Sequence, residues 1–453
     1  MSAKIRILAQ ALFVLAVVTL PVDVTLRFRL FGYNARLSQL FFGLLLLVVL
    51  AEALRTSSWR SLGVPWAGVA YLAAVVASIP WTHDVTKTLG YAAWAAFDVA
   101  AFLVGLPLFL RLYPQLRAWS VAVYLATAAI VCEVAFGEIA ALFGGGPRPP
   151  SAFIGTAGFP RLQALFYEPA YLAFFLTTPV AVALAWHLSR EARPRLPLLF
   201  VAVASSATIV LSTARSGWLA LAATFVLATL VALRLRPSPR VVRQAVAVAV
   251  ASGVVAVGIL VAFVMAKATG SPIDRLAAVP EFARHLALFG AAQGTGNDVA
   301  LRTDWYALGL RVWSEHPAFG VGIGGFGAYV VQQGYTPAIP DPSKIVVPNM
   351  WVELLAETGL VGALAALALV ATTVVSALRA GARSPAAAGC AVALVVLGLV
   401  SFQFNDTFLR LDLWLPLGLA AALAAWPATE PVRTLTRPAT AGAPGTAGRT
   451  VPS

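Results

Sequence analysis

The sequence predicts an all-α polytopic membrane protein of about twelve transmembrane helices, and three observations lead to that class. Hydrophobic residues make up 60% of the 453-residue chain and charged residues only 11%, whereas soluble domains contain roughly 25% charged residues. Apolar windows of roughly 20 residues, the length that crosses a bilayer, recur along the chain. Arginines are concentrated in alternate connections between these windows.

The apolar windows define twelve predicted spans, with one long connection between the ninth and the tenth. These spans are residues 7–22, 38–54, 61–80, 89–110, 118–143, 168–187, 196–212, 216–234, 241–266, 356–378, 386–402 and 412–426. The first span follows Lys4 and Arg6 and has no small-x-small cleavage site after it, so we expect a retained helix rather than a signal peptide. Residues 1–426 are predicted to form a single membrane domain. Residues 427–453, rich in Ala, Thr, Pro and Gly, are predicted to be a disordered tail.

The charge pattern predicts how the chain is oriented in the membrane. If the N-terminus is cytoplasmic, the short inner connections carry arginines and almost no acids, as the positive-inside rule requires. These arginines are Arg55, Arg60, Arg111, Arg117, Arg190, Arg193, Arg195, Arg234, Arg236, Arg240, Arg243, Arg379 and Arg383. Both termini are then cytoplasmic. The net charge of +13 is therefore a topology signal, and no nucleic-acid partner is predicted.

Sequence motifs for cofactors and metals are not supported by their context. Cys132 and Cys390 lie in separate predicted spans and show no disulfide or metal pattern. The stretch GVGIGGFG, residues 320–327, contains a formal G-x-G-x-x-G, but it follows a helix and lacks a βαβ context, so we expect a flexible or tightly turned return to the membrane. There is no G-x-x-x-x-G-K-[ST] motif and no D-x-D motif. We therefore predict no cofactor and no metal.

Arg215 stands in VLSTARSGWLAL, residues 210–221, between two apolar runs. An arginine at bilayer depth costs about 2.5 to 3.5 kcal/mol on insertion scales, so it usually faces a protein cavity or an anionic ligand rather than lipid. By itself this pattern leaves two interpretations equally open. Arg215 either binds an anion or lies at the interface with its charged end in water.

The long connection, residues 267–350, is predicted to be on the outer side, and loops of that length are usually functional. Within it, VALRTDWYALGLRVWSEHP predicts a helix that follows an N-cap at Asn297 or Asp298 and stops at Pro317. This connection is therefore expected to contain short helices rather than only irregular structure.

Two arginines of this predicted helix lie on different faces. Arg311 has acidic neighbours on its own face. Arg302 shares the other face with Tyr306 and Trp313, an arrangement suited to an anionic group attached to a sugar. Pairing of Arg302 with Asp298, four residues earlier, is an equally good interpretation of the spacing.

The stretches STARSGWLAL, LRTDWYALGLRVWSEHPAFGVGIGGFG and PNMWVELLAETGLVG follow one another along the chain. In this order they resemble the O-antigen ligase and polymerase superfamily of bacterial membrane glycosyltransferases, over about residues 150–410. The resemblance implies a GT-C-like glycosyltransferase of the bacterial inner membrane, with its active site facing the periplasm. Such enzymes transfer a glycan from undecaprenyl pyrophosphate to an acceptor hydroxyl without a cofactor or metal.

The resemblance also implies roles for particular residues. Arg215 in STARSG and Arg302 in LRTDW match the two important arginines of the family, which would bind the pyrophosphate and stabilise the charge that develops on it as it leaves. Glu357 matches the family's E-x-G-L position and is expected to hold an arginine or the loop backbone in place.

One departure from the ligases concerns the residues before the E-x-G-L segment. Ligases of the family typically have a His-Asn pair there, and this chain has Pro348 and Asn349. In addition, RLQALFYEPAYLAFF, residues 161–175, places Arg161 and Glu168 before the sixth span, and this acidic-proline pair resembles the polymerase branch. Glu168 is our candidate general base. A glutamate before a proline at a helix start is also a common capping arrangement.

The candidate catalytic residues are therefore Arg215, Arg302 and Glu168. The candidate substrate-binding residues are Arg161, Tyr306, Trp313, Asn349, Glu357, Arg311 and Asn405. Asn405 belongs to FQFNDTFLR, which with Asp406 and Arg410 is a candidate lining of the acceptor path.

The function favoured by these observations is polymerisation of undecaprenyl-pyrophosphate-linked repeat units into O-antigen or exopolysaccharide by inverting transfer. The expected partners are the lipid-linked donor and acceptor glycans, the bilayer and a chain-length regulator. The nearest alternative is a ligase that transfers finished glycan to lipid A core or to a protein. A peptidoglycan-type polymerase and a lipid flippase are weaker alternatives, the latter because the chain shows no convincing internal repeat.

Overall fold

The computed structural model describes residues 3–22, 27–30, 33–58, 65–143, 153–154, 160–166, 168–189, 196–288, 296–336, 345–403 and 408–425. The α-helices are α1 (Ala3–Thr19), α2 (Leu37–Thr56), α3 (Trp66–Ser78), α4 (Val85–Asp98), α5 (Leu106–Leu112), α6 (Arg117–Phe143), α7 (Pro169–Leu188), α8 (Leu196–Leu211), α9 (Arg215–Leu235), α10 (Pro239–Lys267), α11 (Pro272–Leu288), α12 (Gly296–Glu315), α13 (Phe326–Gln332), α14 (Met350–Ala380), α15 (Pro385–Leu399) and α16 (Leu411–Ala424). A π-helix, Val99–Gly105, joins α4 to α5, and 3-10 helices span Ile79–Trp81, Pro114–Leu116 and Ser401–Gln403.

The described part of the chain contains eight helices that are long and apolar enough to cross a membrane. They are Leu37–Thr56, Val85–Leu112, Pro114–Ala141, Pro169–Leu188, Arg215–Leu235, Pro239–Lys267, Met350–Ala380 and Pro385–Gln403. Shorter apolar helices span Trp66–Trp81, Leu196–Leu211 and Leu411–Ala424. Each of the twelve predicted spans overlaps a helix, so the all-α polytopic class is confirmed. Twelve crossings remain a prediction, and the predicted tail, residues 427–453, lies outside the described residues.

Two short antiparallel hairpins were not predicted from the sequence. In the first, β1 (Arg27–Leu30) pairs with β2 (Tyr33–Arg36). In the second, β3 (Phe153–Ile154) pairs with β4 (Pro160–Arg161). Both lie in connections between apolar helices. Strands this short leave little periodic signal in a sequence.

α7 is the central helix of the bundle, because it is apolar on all sides and is packed on all sides. It contacts α8, α9 and α15, and nearly every residue from Leu172 to Ala185 is buried. Small residues let its neighbours approach closely. A Cβ atom on Gly389 of α15 would lie 2.5 Å from the Cα of Val182.

α10 is a peripheral helix, and its exposed side chains show the opposite pattern. Val246, Val250, Val254 and Val257 recur at helical spacing and are 55 to 66% exposed. A continuous apolar stripe of this kind matches the surface that lipid chains cover. α7 therefore belongs to the protein-packed core, and α10 belongs to the lipid-facing rim.

Candidate functional site

The first turns of α7 and α9 pack against each other. A Cβ atom on Gly217, in the first turn of α9, would lie 2.6 Å from the Cβ of Ala173 on α7. Glu168 is the N-cap residue of α7, and Arg215 is the first residue of α9. Glu168 and Arg215 therefore lie at the same end of the bundle. We call this end, where α7, α9, α14 and α16 begin and α15 ends, the mouth.

The STARSG motif forms a tight connection between α8 and α9. Ser212 Oγ donates to the carbonyl of Ile209 (2.7 Å) and accepts from the amide of Ala214 (3.4 Å). Thr213 has a φ of 57°, which is an unusual conformation for a β-branched residue. Residues 212–214 are buried, whereas Arg215 is exposed. The turn thus presents the arginine at the surface of the mouth.

The position of Arg215 is electrostatically unusual. The N-terminus of an α-helix carries a partial positive charge of roughly half an elementary charge, so a cation there is unfavourable and an anion is favourable. The backbone amides of a first helical turn also bind phosphate groups. Arg215 and the start of α9 together therefore form a region suited to a strongly anionic ligand.

Arg302 approaches the mouth through Tyr306 on α12. The Tyr306 hydroxyl lies 2.8 Å from the carbonyl oxygen of Gln403 and 3.1 Å from that of Pro348, and it donates its proton to these acceptors. Arg302 lies one helical turn before Tyr306 on the same face of α12. Burial raises the pKa of Tyr306, and the Arg302 guanidinium opposes that rise. A glycine on α12 allows the close approach, since a Cβ on Gly309 would lie 2.7 Å from Val352 of α14.

The Ser401–Gln403 helix connects this region with α7. The ring of Phe402 packs against the ring of Phe174, with centroids 5.7 Å apart. Phe174 follows Ala173, the residue that contacts Gly217. The helices that carry the three candidate catalytic residues, Glu168, Arg215 and Arg302, are thus connected at one end of the molecule by packed side chains and by the hydrogen bond from Tyr306 to Gln403.

Asn349 has both ends of its amide engaged by the protein. Its Oδ1 accepts from the amides of Trp351 (3.0 Å) and Val352 (3.2 Å) and so caps α14. Its Nδ2 donates to Oε1 of Gln403 (3.0 Å). These contacts give Asn349 a structural position at the mouth, and its predicted contact with substrate stays a prediction.

Glu357 holds the backbone of the glycine-rich loop, one of the two roles expected for it. The amide of Gly324 donates to Glu357 Oε2 at 2.7 Å. Gly320, Gly322 and Gly324 all have positive φ angles, of 65°, 88° and 70°. Of the two forms expected for residues 320–327, the tightly turned one is therefore confirmed, and Glu357 and Ser78 are side chains that fasten the loop.

A break in α14 receives the start of this loop. Gly359 has a φ of 65° and a ψ of −170° within the helix. The amide of Leu360 donates to the carbonyl of Pro317 (2.8 Å), and that of Val361 donates to the carbonyl of Ala318 (3.2 Å). The E-x-G segment therefore exposes helix amides that the incoming loop satisfies.

The other α12 candidates are engaged by protein groups. Arg311 pairs with Glu315 at 3.2 Å, as its spacing predicted, and its guanidinium carbon lies 4.0 Å from the centroid of Tyr335. The indole of Trp313 donates to the carbonyl of Pro317 at 3.2 Å. The helical rise places Trp313 about three turns from Arg302, or roughly 16 Å along the axis. Tyr306 is therefore the aromatic partner of Arg302, and substrate binding by Arg311 and Trp313 stays a prediction.

Glu168 occupies the N-cap position, but its side chain makes no capping hydrogen bond. Arg161 pairs through its backbone with Phe153, and its side chain lies outside the described residues. The side chain of Asp298, the alternative partner of Arg302, and all of Asn405 also lie outside them. The structure thus locates the backbone of Arg161 without testing the predicted contacts.

Arg410, which the sequence placed in the candidate lining of the acceptor path, is a nearly buried cation at the mouth. It pairs with Asp412 at 3.0 Å and lies over the ring of Tyr171, 3.5 Å from its centroid. Tyr171 is in the first turn of α7, where its amide donates to the carbonyl of Glu168. Arg410 precedes an apolar helix, as Arg215 begins one, and this shared pattern was the available sequence signal.

The arginines at the mouth are suited to an anion. Among the described residues, no cluster of three or more His, Cys, Asp or Glu side chains is arranged to hold a metal ion. Arginines, in contrast, come from three separate segments. Guanidinium groups bind phosphate oxygens through paired hydrogen bonds.

Comparison with protein families matches part of the chain. Residues 200–367 match a family model described as O-antigen ligase. The matched segment runs from α8 into α14 and so includes Arg215, Arg302 and Glu357, whereas Glu168 and Arg410 lie outside it. No curated protein matches the chain.

Proposed function

We propose that the chain is a member of the O-antigen ligase and polymerase superfamily, on the match of residues 200–367, and that it joins lipid-linked glycan repeat units into a polysaccharide. The family supports a glycosyltransferase-type enzyme with a role in O-antigen or related glycan assembly or transfer. The proposed donor is a glycan on undecaprenyl pyrophosphate, and the proposed acceptor is a sugar hydroxyl of a second lipid-linked glycan. The observation that carries the proposal is the meeting of two arginine-bearing elements and Glu168 at the mouth.

Arg215 and Arg302 bind the pyrophosphate of the donor in this proposal. Both side chains are exposed, and guanidinium groups stay charged at every physiological pH. The start of α9 adds a partial positive charge beside Arg215. These groups stabilise the charge that builds on the pyrophosphate as its bond to the sugar breaks.

Glu168 accepts the proton of the acceptor hydroxyl in the same step. The acceptor oxygen forms a bond to the anomeric carbon, and the anomeric carbon–oxygen bond to the pyrophosphate breaks with its electron pair on the departing lipid. The displacement inverts the anomeric configuration. The side chain of Glu168 makes no capping hydrogen bond to α7, as the proposed chemical role requires.

The residues before the E-x-G-L segment favour a polymerase over a ligase. A ligase of the family would use a histidine beside Asn349, and this chain has Pro348 there. Among the described side chains, His83 and His316 pack on Tyr329, and His187 lies in the last turn of α7, away from the mouth. The description of the matched family keeps a ligase as the second candidate.

The proposed orientation places the mouth on the periplasmic face of the bacterial inner membrane, with both termini cytoplasmic. Arg215 begins α9, whereas Arg234 and Arg236 lie at its other end. The positive-inside rule then favours a cytoplasmic position for that far end. A chain-length regulator is the proposed protein partner.

Mass spectrometry of purified protein with one lipid-linked repeat unit tests the proposed reaction. A ladder of multiples of the repeat mass is the expected result. Consumption of the donor only after addition of lipid A core or an acceptor protein would identify a ligase instead. Movement of unchanged lipid between the leaflets of reconstituted vesicles would indicate a flippase.

A further inference from the structure

Arg302 lies on a helix of the long connection, and its orientation toward the mouth has to be fixed by the protein. The side chain is exposed, and an arginine loses up to roughly 2 kcal/mol of rotamer entropy when it is held in one conformation. Thr303 and Asp304, beside it on α12, are also exposed. Tyr306 lies one turn later on the same helix face.

The hydrogen bonds of Tyr306 define the direction of its free lone pairs. A phenol has one proton to donate and two lone pairs to accept with. The proton is used toward the carbonyls of Gln403 and Pro348, at 2.8 and 3.1 Å. Arg302 lies one turn earlier on the same face of α12, where the lone pairs of the phenolic oxygen can accept from its guanidinium. Tyr306 thereby connects the guanidinium to main-chain atoms of the bundle.

Those main-chain atoms are themselves held by hydrogen bonds. Asn349 Nδ2 donates to Gln403 Oε1 at 3.0 Å, and Gln403 Nε2 donates to the carbonyl of Gly398 at 3.1 Å. The indole of Trp351 donates to the same carbonyl at 2.7 Å. Asn349 also fixes the start of α14, directly after Pro348. The end of α15 and the start of α14 are thus joined into one rigid platform.

From these contacts we infer that Tyr306 is the positioning residue for Arg302. The Pro348-Asn349 pair is the part of the platform that holds Tyr306. This inference depends on the proposed function, in which Arg302 binds the donor pyrophosphate. It assigns the Pro-Asn pair a role different from acid–base chemistry. In this role the Pro-Asn pair helps to orient the Arg302 guanidinium and takes no part in the chemical step.

Binding of undecaprenyl pyrophosphate to the purified full-length protein tests this assignment. Tyr306→Phe keeps the ring and removes the hydroxyl. It should weaken binding by about tenfold, as expected for a lost hydrogen bond to a charged group. Arg302→Ala should weaken binding at least as much. The double variant should bind no more weakly than Arg302→Ala, because Tyr306 acts through Arg302.

Two further variants separate positioning from general damage. Tyr335→Phe removes a hydroxyl from the same long connection, where it donates to Glu315, and should bind the lipid as the wild type does. Asn349→Ser keeps an oxygen that caps α14 and removes the amide donor to Gln403. It should reproduce the weaker binding, with a raised KM for the donor, and should have no further effect when Arg302 is alanine.

The outcomes distinguish this inference from the proposed function. If Arg302→Ala weakens binding and Tyr306→Phe with Asn349→Ser do not, positioning is wrong and the arginine assignment stands. Additive losses in the double variant would mean that Tyr306 acts independently, which also overturns positioning. If Arg302→Ala binds the lipid as tightly as the wild type, both the inference and the role of Arg302 are wrong.

Discussion

Arg215 is a cation at the end of a helix where the helix dipole is already positive. The physical cost of this arrangement is offset when an anion binds, so the proposed role of Arg215 lies in binding rather than in folding. Glu168 presents the complementary case. It occupies the N-cap position of α7 without a side-chain capping hydrogen bond, and its proposed role is to accept a proton in the reaction.

Alanine at Arg215 should remove transfer without unfolding the protein. The expected loss of kcat/KM is about 10²-fold or more, the range seen when one donor to a developing negative charge is removed. Arg234→Ala is the matched control, because Arg234 lies at the far end of the same helix. Product formation from a lipid-linked repeat unit measures both. Near-normal polymer from Arg215→Ala would exclude it from the site.

Substitutions at Glu168 should distinguish a role as general base from a role as the N-cap of α7. Glu168→Gln should lower kcat strongly while leaving the affinity for undecaprenyl pyrophosphate unchanged. Glu168→Ser supplies one of the best N-cap side chains, so a capping role predicts full activity and a catalytic role predicts the same loss as in Glu168→Gln. Steady-state kinetics with a thermal unfolding scan of each variant makes the distinction.

At the scale of elements, the long connection is fastened to the bundle at two separate points. Tyr306 joins α12 to the starts and ends of α14 and α15. The glycine-rich loop joins the break in α14 through Glu357 and Gly359. These two attachments hold α12, and with it Arg302, against helices that are distant in sequence.

Gly359→Ala should release the second attachment. A Cβ at this position would lie 2.2 Å from the carbonyl oxygen of Ala318, and a non-glycine residue with positive φ costs about 1 to 3 kcal/mol. Gly253→Ala and Gly258→Ala in α10 are matched controls, since nothing lies within 4 Å of a Cβ there. The unfolding temperature should fall only for Gly359→Ala. Equal stability of all three variants would contradict the attachment.

Glu315 makes the packing of the long connection dependent on pH. Burial acts to raise its pKa, but hydrogen bonds from Tyr335, Tyr329 and Arg311 outweigh it, so the pKa lies below the ordinary value of 4.5. A lowered pKa in the folded state contributes stability above that ordinary value, and the contribution disappears as the pH falls through the lowered value.

The corresponding measurement compares Glu315→Gln with the wild type across pH. The difference in unfolding temperature should be largest near neutral pH and should close as the pH falls below 4.5. Asp304→Asn removes a carboxylate from the exposed surface of the same helix and should show a smaller difference. A difference in unfolding temperature that stays constant down to acidic pH would show that the Glu315 hydrogen bonds add no stability.

At the scale of the whole molecule, Arg234 and Arg236 lie at the end of α9 that is opposite the mouth. Native Cys132 and Cys390 are buried, so engineered thiols report orientation directly. Gln333→Cys, exposed after α13, should react with a membrane-impermeant maleimide in intact spheroplasts. Pro237→Cys, between α9 and α10, should react only after permeabilisation. The reverse labelling would invert the proposed topology.

Composition and apolar periodicity were sufficient to predict the helical membrane class, because burying a helix in lipid imposes a length and a polarity on every span. They also located the apolar helices, the tight turn at residues 320–327 and the pairing of Arg311 with Glu315, since these depend on neighbours in the chain. The same reasoning did not predict the hairpins or the π-helix, where the local signal is short.

Only the tertiary structure decided which residues meet. The carbonyl of Gln403 holds Tyr306, and a backbone acceptor leaves no signature in side-chain identity. Arg410 meets Tyr171 across more than two hundred positions, and the amide of Asn349 is used by Gln403 rather than turned to solvent. Periodicity specifies the face on which a residue lies, whereas packing between helices specifies its partner. The sequence therefore determined the kind of protein and the arginines to suspect, and the fold determined how they are held.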